Sequence, residues 1–304
     1  MIGCGTMHPG ANARMVLGER MKLYAVSDLH LSHPENRDVV AKIASHREDW
    51  LILAGDVAER YSDLEFAFSL LVPRFKQIVW VPGNHELWTI PSSGESERGQ
   101  FRYDRLISLC RSYGILTPED PYQVVAFGNE RIRIAPLFLL YDYSFRPDDI
   151  PIECAVEWAK ESGVVCTDEV LLHPDPFPNR AAWCRARCDL TQSRLQQCDD
   201  GLPTILVNHF PLRQDLARTP FIPRFSLWCG TRWTEDWHLR FNARVVVSGH
   251  LHIRSTKYRD GVRFEEVSLG YPRQWLNAKS ITGVMREIWP GTSSPVNVGR
   301  PFSG

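Results

Sequence analysis

Residues 22–30 read KLYAVSDLH, residues 50–56 WLILAGD and residues 77–86 QIVWVPGNHE. In each, a short apolar run stops at Asp or Gly. Lys22–Ser27, Trp50–Ala54 and Gln77–Val81 have the length and β-branched or aromatic content of buried strands. Glu35–Arg47 and Asp63–Phe75 lie between them and carry helical spacing. Strands alternating with helices predict βαβ units and a parallel sheet. Right-handed crossovers then bring the strand C-termini to one edge, where open α/β sheets collect their ligands.

Each strand runs into residues able to hold metal. The first ends in Asp28 and His30, the second in Gly55-Asp56, the third in Gly83-Asn84-His85-Glu86. Further strand patterns at Thr204–Val207 and Arg244–Val247 end in His209 and in Gly249-His250-Leu251-His252. A last pattern follows at Val262–Val267. Asp28/His30 and His250/His252 are i, i+2 pairs, a spacing that sends both side chains to one face of an extended segment. Glycine before Asp56, Asn84 and His250 lets the chain turn tightly.

The set contains Asp, Asn and His and no thiolate. It suits manganese, iron, zinc, cobalt or nickel in water-accessible sites. It exceeds what one tetrahedral zinc needs and suffices for two metals, which can clamp the attacking and leaving oxygens of a displacement at phosphorus. An isolated histidine or strand-end aspartate would be an ordinary hydrogen-bonded residue or turn former. The ordered series of them argues otherwise.

Between residues 88 and 203 the pattern is less regular, and reads as an insert shaping the substrate cleft. It holds helix patterns at Arg102–Tyr113 and Arg180–Gln197. Residues 1–20 read as a poorly structured extension, 21–288 as a single domain, and 289–304, rich in Pro, Gly and Ser, as a mobile tail. The 304 residues carry 35 basic and 36 acidic side chains, a balance that gives no support to nucleic-acid binding. No apolar run reaches the length of a membrane span. Eight scattered cysteines form no C-x-x-C pair or dense framework, which points to reduced thiols and a cytoplasmic setting.

The series D-x-H, G-D, G-N-H-E, a later H and G-H-x-H resembles the calcineurin-like metallophosphoesterases, from Met21 to about Arg273. That resemblance implies a four-layer α/β/β/α sandwich, two mixed sheets flanked by helices. It implies one metal at Asp28, His30 and His252, a second at Asn84, His209 and His250, and Asp56 bridging both. Manganese or iron is favoured over zinc, cobalt or nickel. The resemblance further implies that Asp56 and His85 are catalytic, His85 protonating the leaving group. Asn84 and Arg60 are implied as phosphate contacts, although an arginine beside Glu59 also reads as a surface ion pair.

The strings WVPGNHELWT (80–89), FLLYDYSF (138–145), LVNHFPL (206–212), FSLWCGT (225–231) and DGVRFEEVSLGYPR (260–273) resemble the mycobacterial phosphopantetheinyl hydrolase group. This implies hydrolysis of the serine-linked phosphodiester of holo-acyl carrier protein, with that protein as partner. Two alternatives are a small-molecule phosphodiesterase, for instance on a cyclic nucleotide, and a non-catalytic scaffold, which would be expected to have lost ligands. Arg180, Arg187 and Arg194 recur every seven residues along one helix face. They would offer an acidic carrier a basic surface; a merely solvated face is the simpler account.

Overall fold

The structure, a computed structural model, describes residues 21–198, 200–276 and 283–291. The expected extension over 1–20 and the tail beyond 291 lie outside the described residues. The strands are β1 Leu23–Val26, β2 His46–Ala54, β3 Phe75–Val81, β4 Gln123–Phe127, β5 Glu130–Pro136, β6 Thr204–Val207, β7 Ala243–Ser248, β8 Ser255–Arg259, β9 Val262–Glu266 and β10 Arg286–Trp289. The helices are α1 Pro34–Ala41, α2 Tyr61–Leu71, α3 Asn84–Leu87, α4 Gly99–Ser112, α5 Ala155–Lys160, α6 Asp168–Leu171, α7 Arg180–Gln196, α8 Trp237–Arg240 and α9 Pro272–Trp275. No helix among the described residues is long and apolar enough to cross a membrane.

Two mixed sheets result, in the orders β10-β1-β2-β3 and β4-β5-β6-β7-β9-β8. The inner neighbours β1-β2-β3 and β5-β6-β7-β9 are parallel, and β10, β4 and β8 add antiparallel edges. Period-2 alternation divides each strand between two cores. Ala25, Ile52, Ala54, Val79, Val81, Ile205, Val207, Val245 and Val247 meet between the sheets. Their neighbours of opposite parity (Leu51, Leu53, Ile78, Trp80, Leu206, Val246) pack with Leu64 and Phe68 of α2, Leu106 of α4 and Trp183 of α7. Apolar residues at every strand position are what a sheet covered on both faces requires. The parallel strands direct the C-terminal ends of β1, β2, β3, β6 and β7 to one rim.

Several expectations are corrected. The helix expected over Glu35–Arg47 ends at Ala41, because His46 already pairs with Phe75 in the sheet. The helix expected to reach Phe75 stops at Leu71, with Pro73 in the 3-10 turn that follows. The 88–203 stretch is not only irregular. It holds the β4–β5 hairpin, and β5 pairs directly with β6 inside the second sheet. A second hairpin, β8–β9, turns at Asp260-Gly261, both with positive φ, as a D-G turn between two strands requires. β10 runs one residue past the expected domain end at 288.

The arginine face of α7 points inward. Arg187 is buried, donates to Glu119 at 2.6 Å and to the Phe138 carbonyl at 3.2 Å, and lies over the Phe138 ring. Arg194 donates to the carbonyls of Pro118 and Asp120, and Arg180 to Glu169 and the carbonyls of Leu172 and Asp168. These guanidiniums are engaged by carbonyls and carboxylates of the same chain, so they form neither a docking surface nor a solvated face. Arg187→Ala should therefore lower the unfolding free energy by about 3 kcal/mol, because it leaves Glu119 without its cation. Urea denaturation reads this, and an unchanged midpoint would return Arg187 to the surface reading.

Candidate active site

The seven expected ligands come together at the shared rim. Asp28, His30 and His252 form one cluster, and Asp56, His209 and His250 another. His30, Asp56 and His85 form a third, which shares His30 with the first and Asp56 with the second; within each cluster the candidate ligand atoms lie within 4.8 Å of one another. The means of convergence differs from the expected one. Asp28, His30, Asp56, His250 and His252 all have positive φ, between 40° and 73°, so neither i, i+2 pair is extended. Each such non-glycine position costs about 1–3 kcal/mol. The surrounding hydrogen bonds offset that cost. The Asp28 carboxylate accepts from Ser27 Oγ (2.5 Å), Ser268 Oγ (2.7 Å), the His250 amide (3.1 Å) and His252 Nε2 (2.9 Å).

The glycines serve two purposes. Gly55 has φ +85°, and a Cβ there would stand 2.6 Å from His209 Nδ1. Gly83 and Gly249 need no positive φ. They supply room, since a Cβ on the first would overlap the Asp56 carboxylate and on the second the Ser27 and Asp28 side chains.

Hydrogen bonds on the outer atoms orient the ligands. His209 Nδ1 donates to the Ala54 carbonyl (2.9 Å) and His252 Nδ1 to Gln274 Oε1 (2.8 Å), which turns both Nε2 atoms inward. Asn84 Nδ2 donates to Asp168 Oδ1 (2.9 Å), and Trp88 Nε1 donates to the same oxygen (2.6 Å). That leaves Asn84 Oδ1, His209 Nε2 and His250 Nε2 buried and without a hydrogen-bond partner. His30 Nε2 and His252 Nε2 face each other at 3.1 Å. Buried nitrogen and oxygen atoms aimed at common points are what a cation would satisfy once the imidazoles give up their protons. These residues fit two metal ions.

The electrostatics agree. Burial opposes charge on Asp56, yet His209 and His85 hold its carboxyl well below the usual range. In return, and against burial, Asp56 pushes His209 up to about 10 and His85 up to about 9. Burial, reinforced by the charge on His209, drives His250 down to about 3. The carboxylates thus collect positive charge wherever a basic group is near, and metal binding would release those protons.

Other groups here had no sequence signal. Glu59, read beside Arg60 as half of a surface pair, instead accepts from His85 Nδ1 at 2.9 Å and lies 3.7 Å from His30 Nδ1. Arg60 is exposed at the N-terminus of α2 and is not among the residues lining the cleft. Arg273 does line it, alongside Trp88, Phe225 and Tyr271, in a cavity of about 300 Å³. Three rings pack on the imidazoles: Trp88 on His85 (3.7 Å between centroids), Tyr271 on His30 (4.4 Å) and Phe225 on His250 (5.5 Å). Asp168 stands 84 residues from Asn84 in no motif, and only folding joins them.

Comparison with known proteins agrees with this geometry. Residues 21–254 match the calcineurin-like phosphoesterase family. The chain belongs to that family. It is a metal-dependent phosphoric ester hydrolase with the family's dinuclear site. It is 48% identical over 276 residues to the [acyl-carrier-protein] phosphodiesterase PptH of Mycobacterium tuberculosis, covering 90% of this chain and 85% of that one. The crystal structure of phosphopantetheinyl hydrolase (PptH) from M. tuberculosis superposes with a TM-score of 0.89 at 47% identity, covering 92% of this chain and all of that one.

Asp56→Ala should remove metal from both positions, read by elemental analysis of the purified protein. Asp168→Ala should weaken metal binding about 10–100-fold by freeing the Asn84 amide. Titration of metal-stripped protein with manganese measures it, and wild-type affinity would show that Asp168 does not orient Asn84.

Proposed function

We propose that this enzyme hydrolyses the serine-linked phosphodiester of holo-acyl carrier protein, returning the apo-protein and 4′-phosphopantetheine. The observation that carries this reading is the 48% identity to PptH, which extends over 90% of the chain and well beyond the metal motifs. Six of the seven expected ligands fall in clusters able to hold a metal and Asn84 lines the same cleft, which opposes the scaffold alternative.

In the proposed assignment Asp28, His30 and His252 hold one metal, Asn84, His209 and His250 the other, and Asp56 lies between. When bound, the two ions would polarise the phosphoryl oxygens and acidify the attacking water. Manganese or iron is the favoured pair, and the oxygen and imidazole donors also suit zinc, cobalt or nickel. Glu59 fixes His85 through Nδ1 and Trp88 stacks on its ring, so the free Nε2 faces the site, 3.8 Å from Asp56 Oδ2. Serine leaves as an alkoxide of high pKa and needs a proton in the transition state, which His85 Nε2 supplies. Water oxygen bonds to phosphorus, the bond from phosphorus to serine oxygen breaks, and the water's proton restores His85. The seven described cysteines are all free, consistent with a reducing, cytoplasmic setting.

Intact-mass analysis of holo-carrier proteins incubated with the metal-loaded enzyme tests the substrate. Loss of the arm with unmodified serine is expected, and ¹⁸O from water should appear on the released phosphopantetheine only. Rapid hydrolysis of a cyclic nucleotide with no arm released would pass the function to the small-molecule alternative. His85→Ala should slow hydrolysis of alkoxide-leaving substrates about 10²–10⁴-fold and nitrophenyl esters much less. Equal losses on both would make His85 a structural residue.

A further inference from the structure

A second hollow, of about 800 Å³, adjoins the metal cleft. Thr219 and Ile222 line both. The 3-10 helix Pro223–Trp228 is a shared wall, with Phe225 lining the cleft and Pro223, Arg224 and Ser226 lining the hollow. The loop after α5 divides in the same way, with Val164 on the hollow and Val165 on the cleft. A ligand whose phosphorus sits at the metal cleft can therefore continue across Thr219 and Ile222 into the hollow.

We propose that this hollow binds the pantetheine arm, a neutral, partly apolar chain carrying a phosphoryl group at one end. The inference rests on the proposed function. Two substituents extend from the phosphorus of holo-carrier protein, the carrier's serine and the arm. A concave space of this size with largely apolar walls suits a small extended molecule, whereas a convex carrier surface needs a broader, flatter face. Phe145, Trp158, Phe221 and Ile222 supply apolar wall, and Phe221 is 96% exposed without a ligand.

Most of the arginines around the hollow are already engaged. Arg224 pairs with Glu161 (3.2 Å) and lies over the Trp158 ring, and Arg232 pairs with Asp148 (2.5 Å). Arg146 donates to the carbonyls of Ile150 and Tyr143. Arg224 and Arg232 brace the walls with their charge matched by carboxylates, Arg146 braces them through carbonyls, and Arg218 lies exposed at the rim, so it is the apolar wall that favours a neutral chain.

The test compares binding of 4′-phosphopantetheine and of inorganic phosphate to metal-loaded enzyme by calorimetry. Two variants at exposed positions alter the hollow alone: Ser162→Trp fills it and Phe221→Asp makes its wall polar. Metal content and melting temperature verify that each variant is intact. Wild type should bind phosphopantetheine more tightly than phosphate. Each variant should lose about tenfold for phosphopantetheine, equivalent to about 1.4 kcal/mol, with phosphate affinity unchanged. Equal affinity of wild type for the two ligands, or variants that bind phosphopantetheine as wild type does, overturns the inference. A raised KM for holo-carrier protein with phosphopantetheine affinity intact also overturns it, making the hollow a carrier-docking face. Wild type that prefers phosphopantetheine but releases no arm from any carrier would defeat the proposed function and leave the arm site standing.

Discussion

The Glu86 carboxylate ties the C-terminal ends of the neighbouring strands β2 and β3 together. It accepts from the backbone amides of Asp56 (2.9 Å), Val57 (2.8 Å) and Gly83 (2.9 Å). Three N–H donors on one buried carboxylate hold the turn after β2 against the turn after β3, fixing Asp56 beside Asn84 and His85. The buried guanidinium of Arg102 continues the tie, donating to the carbonyls of Glu86 and Glu59 and to the Glu95 carboxylate. Without this clamp, the left-handed backbone at Asp56 and the packing of Asp56 against Gly83 would have nothing to oppose their cost.

The site therefore stores strain in its backbone and recovers it through hydrogen bonds. Five of the seven expected ligands, Asp28, His30, Asp56, His250 and His252, occupy the left-handed region that side chains avoid. Such conformations persist only where neighbours over-determine them. Asp28, with its serine, histidine and amide partners, and Glu86, with its three amides, are the points of over-determination. Preorganisation of this kind lets convergent lone pairs wait for a cation without rearranging.

Charge reads differently in one dimension and in three. The heptad of arginines on α7 has the spacing of a surface face, yet Arg187 is buried and all three guanidiniums bind carbonyls or carboxylates of the same chain. Glu59 and Arg60, adjacent in sequence, part company: the carboxylate turns to His85 and the guanidinium to solvent. Spacing gives the direction of a side chain around its helix axis. It does not tell which side of that helix the core will occupy.

The βαβ alternation of β1, β2 and β3, the positions of the metal-type residues and their placement at strand C-termini were all legible in the sequence. Apolar runs, glycine and the D-x-H, G-D, G-N-H-E and G-H-x-H patterns are local, and the right-handed crossover turns local order into a common rim. The β4–β5 and β8–β9 hairpins are local as well, turning at Gly128-Asn129 and Asp260-Gly261. Other features depended on the tertiary structure alone. Asp168 on Asn84, Glu59 on His85, Gln274 on His252 and the hollow beside the cleft join residues tens of positions apart. No periodicity links such partners, and they meet because the two sheets pack face to face and bring their loops to one edge.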